Sequence, residues 1–303
     1  MAAGADQSRI RGALLGLAVG DALGAPLESS APQEAGRVVE AGLEMSGGRG
    51  WEPGQWTDDT AMALALAESI AERGLIDTAD VARRYIAWAD GNPRGIGAIT
   101  RGALRGAKDD NDTRSRAKAL HEQAGLTAGN GTIMRAAPIG LAAATKDEAR
   151  QAAHADASLT HYDHAAACAS AALCAALIAI RDGSDPIEAA AAEVGDHAKL
   201  TLVTEAVQAR HEGPIRSVAA SPEAGTCWAT LGVCLFALTA HDDYESGVAW
   251  AIGLGGDADT NAAATGALLG FRDGVEAIPE RWLGPLRDRD RIEKAAEGLS
   301  ARA

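Results

Sequence analysis

Apolar and small residues recur with helical spacing along most of the chain, and few segments alternate apolar and polar residues as strands do. Residues 8–24 keep this helical pattern although they include Gly12, Gly16, Gly20 and Gly24. These glycines share one helix face, because residues four apart are neighbours on a helix. Each interior Gly costs about 1 kcal/mol relative to Ala. We therefore expect another backbone to pack closely against this face.

A second set of glycines with the same spacing lies near the end of the chain. Gly266, Gly270 and Gly274 occur in TGALLGFRDG, which repeats the GALLG of the first segment. The repetition suggests two helices that cross at their glycine faces. Two unrelated contacts between small residues would explain the pattern equally well.

The other periodic segments predict a series of shorter helices. We place these at residues 59–73, 78–89, 146–157, 162–181, 185–200, 202–211, 226–239, 244–254, 260–272 and 289–301. Residues 29–56, with the cluster GGRGWEPG, and the polar sequence DDNDTRSR at 109–116 are predicted as loops. No linker divides the chain, so we predict one domain over residues 1–303. The expected fold is mostly helical, with helices that lie unusually close together.

Charge and composition limit the partners of the protein. Aromatic residues make up only 4% of the chain and the net charge is −14. Such a surface repels phosphate backbones, so general nucleic-acid binding is not expected. The longest apolar run, residues 165–180, is shorter than the roughly 20 residues that span a bilayer, and the N-terminus has no signal-peptide pattern. We expect a cytoplasmic, monomeric protein without a membrane segment.

The four cysteines predict buried, reduced thiols. Cys168, Cys174, Cys227 and Cys234 lie in apolar helical runs, and none belongs to a CxxC motif. No combination of Cys and His has the spacing along the chain that is typical of a zinc site.

Two short acidic sequences are the strongest candidates for chemistry. The first, TDDT, contains Thr57, Asp58, Asp59 and Thr60 just before an apolar helix. A single Thr or Asp is sufficient to cap a helix, so two adjacent carboxylates after a Thr exceed what capping needs. Side chains of adjacent residues diverge within a helix, but they can converge at a frayed N-terminus.

The second acidic sequence is GGDADTN, with Asp257, Asp259 and Thr260 next to glycines. It could also be a helix cap, and either sequence alone is more simply explained in that way. Together they offer two matched sets of hard oxygen donors without His or Cys. Such donors suit Mg²⁺ or Mn²⁺ rather than zinc.

Several other residues are weaker candidates. Glu28 follows the first glycine-rich helix and could relay a proton or remain a solvated loop residue. The turn GNGTIMR, residues 129–135, offers backbone amides of the kind that bind phosphate, as does GIGAIT at residues 95–100. His161 precedes the long apolar helix and could contact a ligand or simply pack in the core.

Five segments, taken in order, are similar to one known family. They are GALLGLAVGDALGAPLE, PGQWTDDTAMALALAESI, GNGTIMRAAPIG, SLTHYDHAAACASAAL and GLGGDADTNAAATGALLG. The chain resembles the ADP-ribosylglycohydrolases, the family of the dinitrogenase-reductase-activating glycohydrolase. The resemblance extends over nearly the whole chain, and the paired TDDT and GDADTN sequences are its most specific part.

The resemblance implies an all-α fold, a compact orthogonal multi-helix bundle of the ADP-ribosylglycohydrolase type. It also implies a binuclear Mg²⁺ or Mn²⁺ centre and assigns roles residue by residue. The implied metal ligands are Thr57, Asp58, Asp59, Asp257, Asp259 and Thr260. The implied catalytic residues are Glu28, Asp58, Asp59 and Asp257, with Glu28 as a flap residue that closes over the ribose. The implied contacts to ADP-ribose are Glu28, Gly97, Gly129, Asn130, Gly131, Thr132, Met134 and His161.

The implied reaction is hydrolysis of the C1″ glycosidic bond between ADP-ribose and a protein side chain, by water activated at the two cations. Two alternatives stay open: a catalytically silent relative that binds ADP-ribose, and a hydrolase of another ADP-ribosylated small molecule. In arginine-specific members that regulate nitrogenase, an acidic residue lies near the GxxxT turn, where this chain has Arg94 and Gly95. This departure leaves the cleaved linkage open.

Overall fold

The computed structural model describes the backbone of residues 3–302 and the side chains of residues 7–302, and over these residues the fold is all-α. Three isolated bridges are the only β-type pairings in this part of the chain. The first half contains α1 (Ala3–Gly24), α2 (Pro32–Glu40), α3 (Asp58–Arg73), α4 (Thr78–Asp90), α5 (Ala98–Leu104), α6 (Asp110–Ala124), α7 (Ala137–Ala142) and α8 (Lys146–Ala157). The second half contains α9 (His164–Asp182), α10 (Pro186–Ala191), α11 (Ala198–Gln208), α12 (Glu212–Ala219), α13 (Cys227–Ala240), α14 (Tyr244–Gly253), α15 (Ala258–Asp273), α16 (Glu280–Leu283) and α17 (Arg289–Ser300).

Helices α1 and α15 pack against each other through their glycines, as predicted. A Cβ atom on Gly12 would lie 2.2 Å from the carbonyl oxygen of Gly270, and one on Gly266 would lie 2.1 Å from that of Gly16. The order of these pairs shows that the two helices are antiparallel. Only glycine permits so close an approach, so the alternative of two unrelated contacts is excluded.

This antiparallel contact determines where the two acidic sequences meet. At its far end a Cβ atom on Gly24 would lie 2.4 Å from Cα of Asp259. The C-terminal end of α1 therefore lies against the N-terminal end of α15. This close helix pair compensates for the cost of the interior glycines, and it places the second acidic sequence on the same cavity as Glu28.

The core helices are apolar and deeply buried. Two segments, Gln7–Leu27 and His164–Asp182, are long and apolar enough to cross a membrane by length and composition alone. However, 89% and 83% of their most apolar windows are buried inside the protein. Burial against neighbouring helices explains their composition, since core helices surrounded on all sides are apolar all round.

The prediction of a loop over residues 29–56 was wrong in part. Helix α2 occupies Pro32–Glu40 and has its proline in the first turn, where the absent N–H has no partner to lose. The prolines at residues 32 and 53 had suggested an irregular segment, but only the second of them lies outside a helix.

The polar sequence at residues 109–116 is also helical rather than a loop. Asp109 caps α6 by accepting a 2.9 Å hydrogen bond from the N–H of Asp112. Arg114 pairs with Asp110 one turn earlier at 2.7 Å. Capping and charge pairs of this kind stabilise a helix that is polar on most of its surface. The two helices predicted at residues 185–200 and 202–211 have different bounds in the structure. Helix α10 ends at Ala191 and α11 begins at Ala198, so the first predicted helix is interrupted by a turn.

Candidate active site

The first acidic sequence begins α3, and a buried carboxylate from α1 holds its backbone. Asp21 accepts hydrogen bonds from the N–H of Thr57 and the N–H of Thr60, each at 3.0 Å, and from the Thr60 hydroxyl at 2.6 Å. Asp21 therefore satisfies the N–H groups of Thr57 and Thr60 at the helix start, while the N–H of Asp59 donates to the Thr57 hydroxyl oxygen at 3.4 Å. The sequence analysis missed Asp21, although a lone acid in an apolar, glycine-rich helix was a usable signal.

The second acidic sequence begins α15 after a turn that needs glycine. Gly256 has φ of +62°, and a Cβ atom there would lie 2.3 Å from the Ala219 carbonyl oxygen. Its N–H donates to Ser30 O at 2.9 Å, and its carbonyl accepts from Ser29 N at 2.7 Å. These bonds tie the turn to the loop after Glu28, and so bring Glu28 to the same cavity as Asp257.

The glycine turn is joined directly to the second acidic sequence. The side-chain amide of Asn130 donates to Asp257 Oδ2 at 2.7 Å and to the Thr230 hydroxyl at 3.0 Å. The backbone N–H of Asn130 donates to Gly225 O at 3.2 Å, so the turn pairs with the segment before α13. Asn130 was expected to contact ADP-ribose. In the structure its side chain lines the cavity and also supports Asp257.

His161 lies against the glycine turn and is held in its neutral form. Arg135 donates to the Thr160 hydroxyl oxygen at 3.0 Å, and that hydroxyl lies 2.8 Å from His161 Nδ1. Nε2 of His161 faces the turn, where a Cβ on Gly129 would lie 3.1 Å from it. Burial, followed by the charge of Arg135, lowers the pKa of His161 to about 3.

One cavity of about 240 Å³ contains almost all of the predicted site residues. Only Thr57 and Thr132 of the predicted set are absent from its walls. Thr57 Oγ1 donates to Asp59 at 3.0 Å behind the cavity, and Thr132 Oγ1 donates to the Ala166 carbonyl at 2.9 Å. The predicted residues that line the cavity are Glu28, Asp58, Asp59, Gly97, Gly129, Asn130, Gly131, Met134, His161, Asp257, Asp259 and Thr260. The sequence analysis did not single out Gly225, which also lines it.

The carboxylates of the cavity disfavour one another's charge. Burial, followed by the negative charge of Asp21, raises the pKa of Asp58 to about 7. Burial also raises the pKa values of Asp59 and Asp259 well above the usual range, and neighbouring carboxylates add to the effect. Acids assembled in this way need compensating positive charge to be ionised together.

The donor set fits divalent cations with hard-oxygen preferences. Asp59 Oδ1 is buried and has no hydrogen-bond partner among the described residues. A buried carboxylate oxygen without a partner is costly unless a ligand satisfies it. With the other carboxylates and Thr260 in the same cavity, it offers the oxygen ligands that Mg²⁺ and Mn²⁺ prefer.

Two arginines, Arg94 and Arg49, support the chain around Glu28 at the rim of the cavity. Arg94 lies over the ring of Trp51 at 4.1 Å and donates to the carbonyl oxygens of Arg49 and Gly50. Arg49 in turn donates to the Glu28 carbonyl at 2.9 Å. Partial burial, together with the charge of Asp257, raises the pKa of Glu28, while Arg94 opposes this shift.

Comparison with known proteins identifies the family of the chain. A family model described as ADP-ribosylglycohydrolase matches residues 3–303. The chain is 32% identical to ADP-ribosylarginine hydrolase Tri1 of Pseudomonas putida, over 97% of this chain and 78% of the relative. It is 31% identical to ADP-ribosyl-[dinitrogen reductase] glycohydrolase of Rhodospirillum rubrum, over 92% of this chain and 90% of the relative.

A solved structure extends the agreement to the whole fold. It is described as an ADP-ribosylglycohydrolase-related protein complex, is 35% identical, and superposes with a TM-score of 0.77 over 99% of both chains. The chain therefore belongs to the ADP-ribosylglycohydrolase family of hydrolases.

Proposed function

We propose that this protein removes ADP-ribose from modified protein side chains by metal-dependent hydrolysis of the C1″ glycosidic bond. The observation that carries the proposal is the meeting of two acidic helix starts, a glycine turn and a neutral histidine on one cavity. The acidic groups suit cations, and the glycine turn and His161 suit an anionic nucleotide. ADP-ribose conjugates combine both requirements, since a ribose diol adjoins a diphosphate.

The residues that would hold two Mg²⁺ or Mn²⁺ ions are those at the two helix starts. They are Thr57, Asp58, Asp59, Asp257, Asp259 and Thr260, with Thr57 placed behind Asp59 rather than on the cavity wall. When bound, the cations supply Lewis acidity that lowers the pKa of water and attracts the ribose hydroxyls. Asp21 and Asn130 would keep the two acidic groups in place through the hydrogen bonds described above.

In the reaction, water forms a bond to C1″ while the bond from C1″ to the side chain of the modified protein breaks. One proton leaves the water and one proton reaches the departing side chain. A carboxylate of the Asp58 or Asp257 pair would orient the water and accept its proton. Glu28, with its raised pKa, would hold the proton that the leaving group takes.

The nucleotide part of the substrate would lie along the glycine turn. Gly129 and Gly131 present their backbone to the cavity, and Nε2 of His161 faces the same turn. Backbone amides and a neutral donor can bind phosphate oxygens although the net charge of the protein is −14. Gly97 and Met134 complete the wall that would enclose the ligand.

We propose that the reaction takes place in the cytoplasm, with an ADP-ribosylated protein as partner. All four cysteines are free and buried, as expected in a reducing compartment.

The test is a panel of ADP-ribose conjugates linked through arginine, serine and small molecules. Free ADP-ribose is measured with and without EDTA, and again after Mg²⁺ or Mn²⁺ is restored. We expect release that needs the metal, and its loss in the double variant Asp58→Asn, Asp259→Asn, with the exposed Asp242→Asn as control. Wild-type release by the double variant in EDTA would contradict the proposal. Tight binding of ADP-ribose without release of any conjugate would identify a catalytically silent relative instead.

A further inference from the structure

We propose that His154, His164 and Cys168 form a second metal site, separate from the acidic cavity, that binds Zn²⁺ and links α8 to α9. None of the three residues lines the proposed catalytic cavity. The inference is therefore independent of the proposed hydrolase activity.

The geometry brings the three donors together from two helices. His164 is the first residue of α9, and Cys168 follows it by four residues, so both side chains lie on one helix face. Cys168 Sγ is 3.3 Å from His164 Nδ1. His154, in the last turn of α8, places its ring centroid 5.3 Å from that of His164.

The spacing of the donor atoms is close to that of a tetrahedral ion. One nitrogen from each histidine and the cysteine sulfur all lie within 4.8 Å of one another. Zinc bonds of about 2.0–2.3 Å to nitrogen and sulfur place neighbouring ligand atoms roughly 3.3–3.8 Å apart. Rotation of the histidine side chains is sufficient to close this difference, because His164 is exposed and His154 is half-buried.

The donor chemistry selects a metal different from that of the acidic cavity. Imidazole and thiolate ligands suit zinc, whereas Mg²⁺ and Mn²⁺ prefer carboxylate and hydroxyl oxygen. Three protein ligands leave a fourth position for water. The exposure of His164 gives an ion access from solvent.

Two charged neighbours act on the site in opposite directions. Glu193, whose charge is felt by both His154 and Cys168, favours a cation there. Both of its oxygens are held by Arg150, at 2.5 and 2.9 Å, so it contributes charge rather than a ligand atom. Arg150 itself opposes positive charge near His154.

Spacing along the chain does not reveal this group, which is why no zinc-type combination of Cys and His was expected from the sequence. Zinc sites are found from sequence by ligands that lie close together in the chain. His164 and Cys168 meet that condition, but they supply only two of the three ligands. The third ligand comes from the preceding helix and becomes a neighbour only when α8 packs against α9.

The test titrates Co²⁺ and Zn²⁺ into the full chain saturated with Mg²⁺. A cobalt–thiolate charge-transfer band is expected in the near ultraviolet, to be displaced by one equivalent of Zn²⁺. Cys168→Ser should abolish the band. His164→Ala, at an exposed position, should weaken Zn²⁺ binding by at least about 100-fold, because loss of a residue that only supports a metal ligand already weakens metal binding by about 10–100-fold. The controls Cys234→Ser and His211→Ala should behave as wild type.

The double variant Asp58→Asn, Asp259→Asn separates the two metal sites. It should keep the cobalt–thiolate band, because the band depends on Cys168 and not on the acidic cavity. Zinc should also raise the Tm of wild type but not of His164→Ala, because an ion that binds only the folded state stabilises it. Absence of the band in wild type, or equal zinc affinity in wild type and His164→Ala, would overturn the proposal.

Discussion

The packing of α1 against α15 predicts that Gly266→Ala destabilises the protein although alanine is the better helix former. The added Cβ would lie 2.1 Å from the Gly16 carbonyl oxygen, where ordinary van der Waals contact begins at 3.4 Å. The two backbones must therefore separate by at least about 1 Å, and no flexible side chain is present to absorb the change. Overpacking costs typically 1–3 kcal/mol, against a gain in helix propensity of about 1 kcal/mol. Because the contact is between two backbones, the cost should lie in the upper part of this range, and we expect a net loss of about 1–2 kcal/mol.

Gly36→Ala is the matched control, because it makes the same substitution inside a helix with open space around it. Nothing lies within 4 Å of its would-be Cβ atom, so this variant should gain about 0.5–1 kcal/mol. Calorimetric unfolding of both variants measures the difference. Gly266→Ala should also lower kcat, because α15 begins with the residues that place Asp259. A Gly266→Ala protein as stable as wild type would refute the close-contact explanation.

Three further predictions concern the cavity. Metal-free protein should lose stability as pH rises from about 4 to 7. Burial raises the pKa of Asp58 from the usual 3.8 to about 7, so the folded state favours the protonated form over this range. The decline in Tm should be smaller in Asp58→Asn and in protein loaded with Mg²⁺. Asn130→Ala should lower kcat by about 10-fold or more by releasing Asp257, whereas Thr230→Val, which keeps that contact, should have a smaller effect. Asp21→Asn should lower the free energy of unfolding by about 1–3 kcal/mol, because the amide cannot accept all the hydrogen bonds at the start of α3.

Much of the fold was predictable from local pattern. Apolar periodicity and the Gly at residue 74 located α3, and the glycine spacing in two distant segments predicted the contact between α1 and α15. The polar helix α6 was missed, because it is stabilised by a cap and by charge pairs rather than by an apolar face. Helix α2 was missed because proline was interpreted as a breaker and not as a first-turn residue.

For the cavity, the sequence identified the residues that line it but not the hydrogen bonds that hold them in place. The acidic sequences and the glycine turn were found from composition and spacing. The support that Asp21 gives to α3, and the bond from Asn130 to Asp257, join residues far apart in sequence. Only the packed structure reveals such links, because a side chain in a single sequence has no visible partner. The same reason explains why His154 was not grouped with His164 and Cys168.

The most direct test of the account is anomalous diffraction from crystals soaked in Mn²⁺. The account predicts two anomalous peaks in the cavity, each ligated by carboxylate oxygen from α3, from α15 or from both, with Asp59 Oδ1 among the ligands. Both peaks should be absent in the Asp58→Asn, Asp259→Asn variant. A single well-resolved structure with Mn²⁺ bound elsewhere, and with Asp59 and Asp259 turned away from a common site, would contradict it.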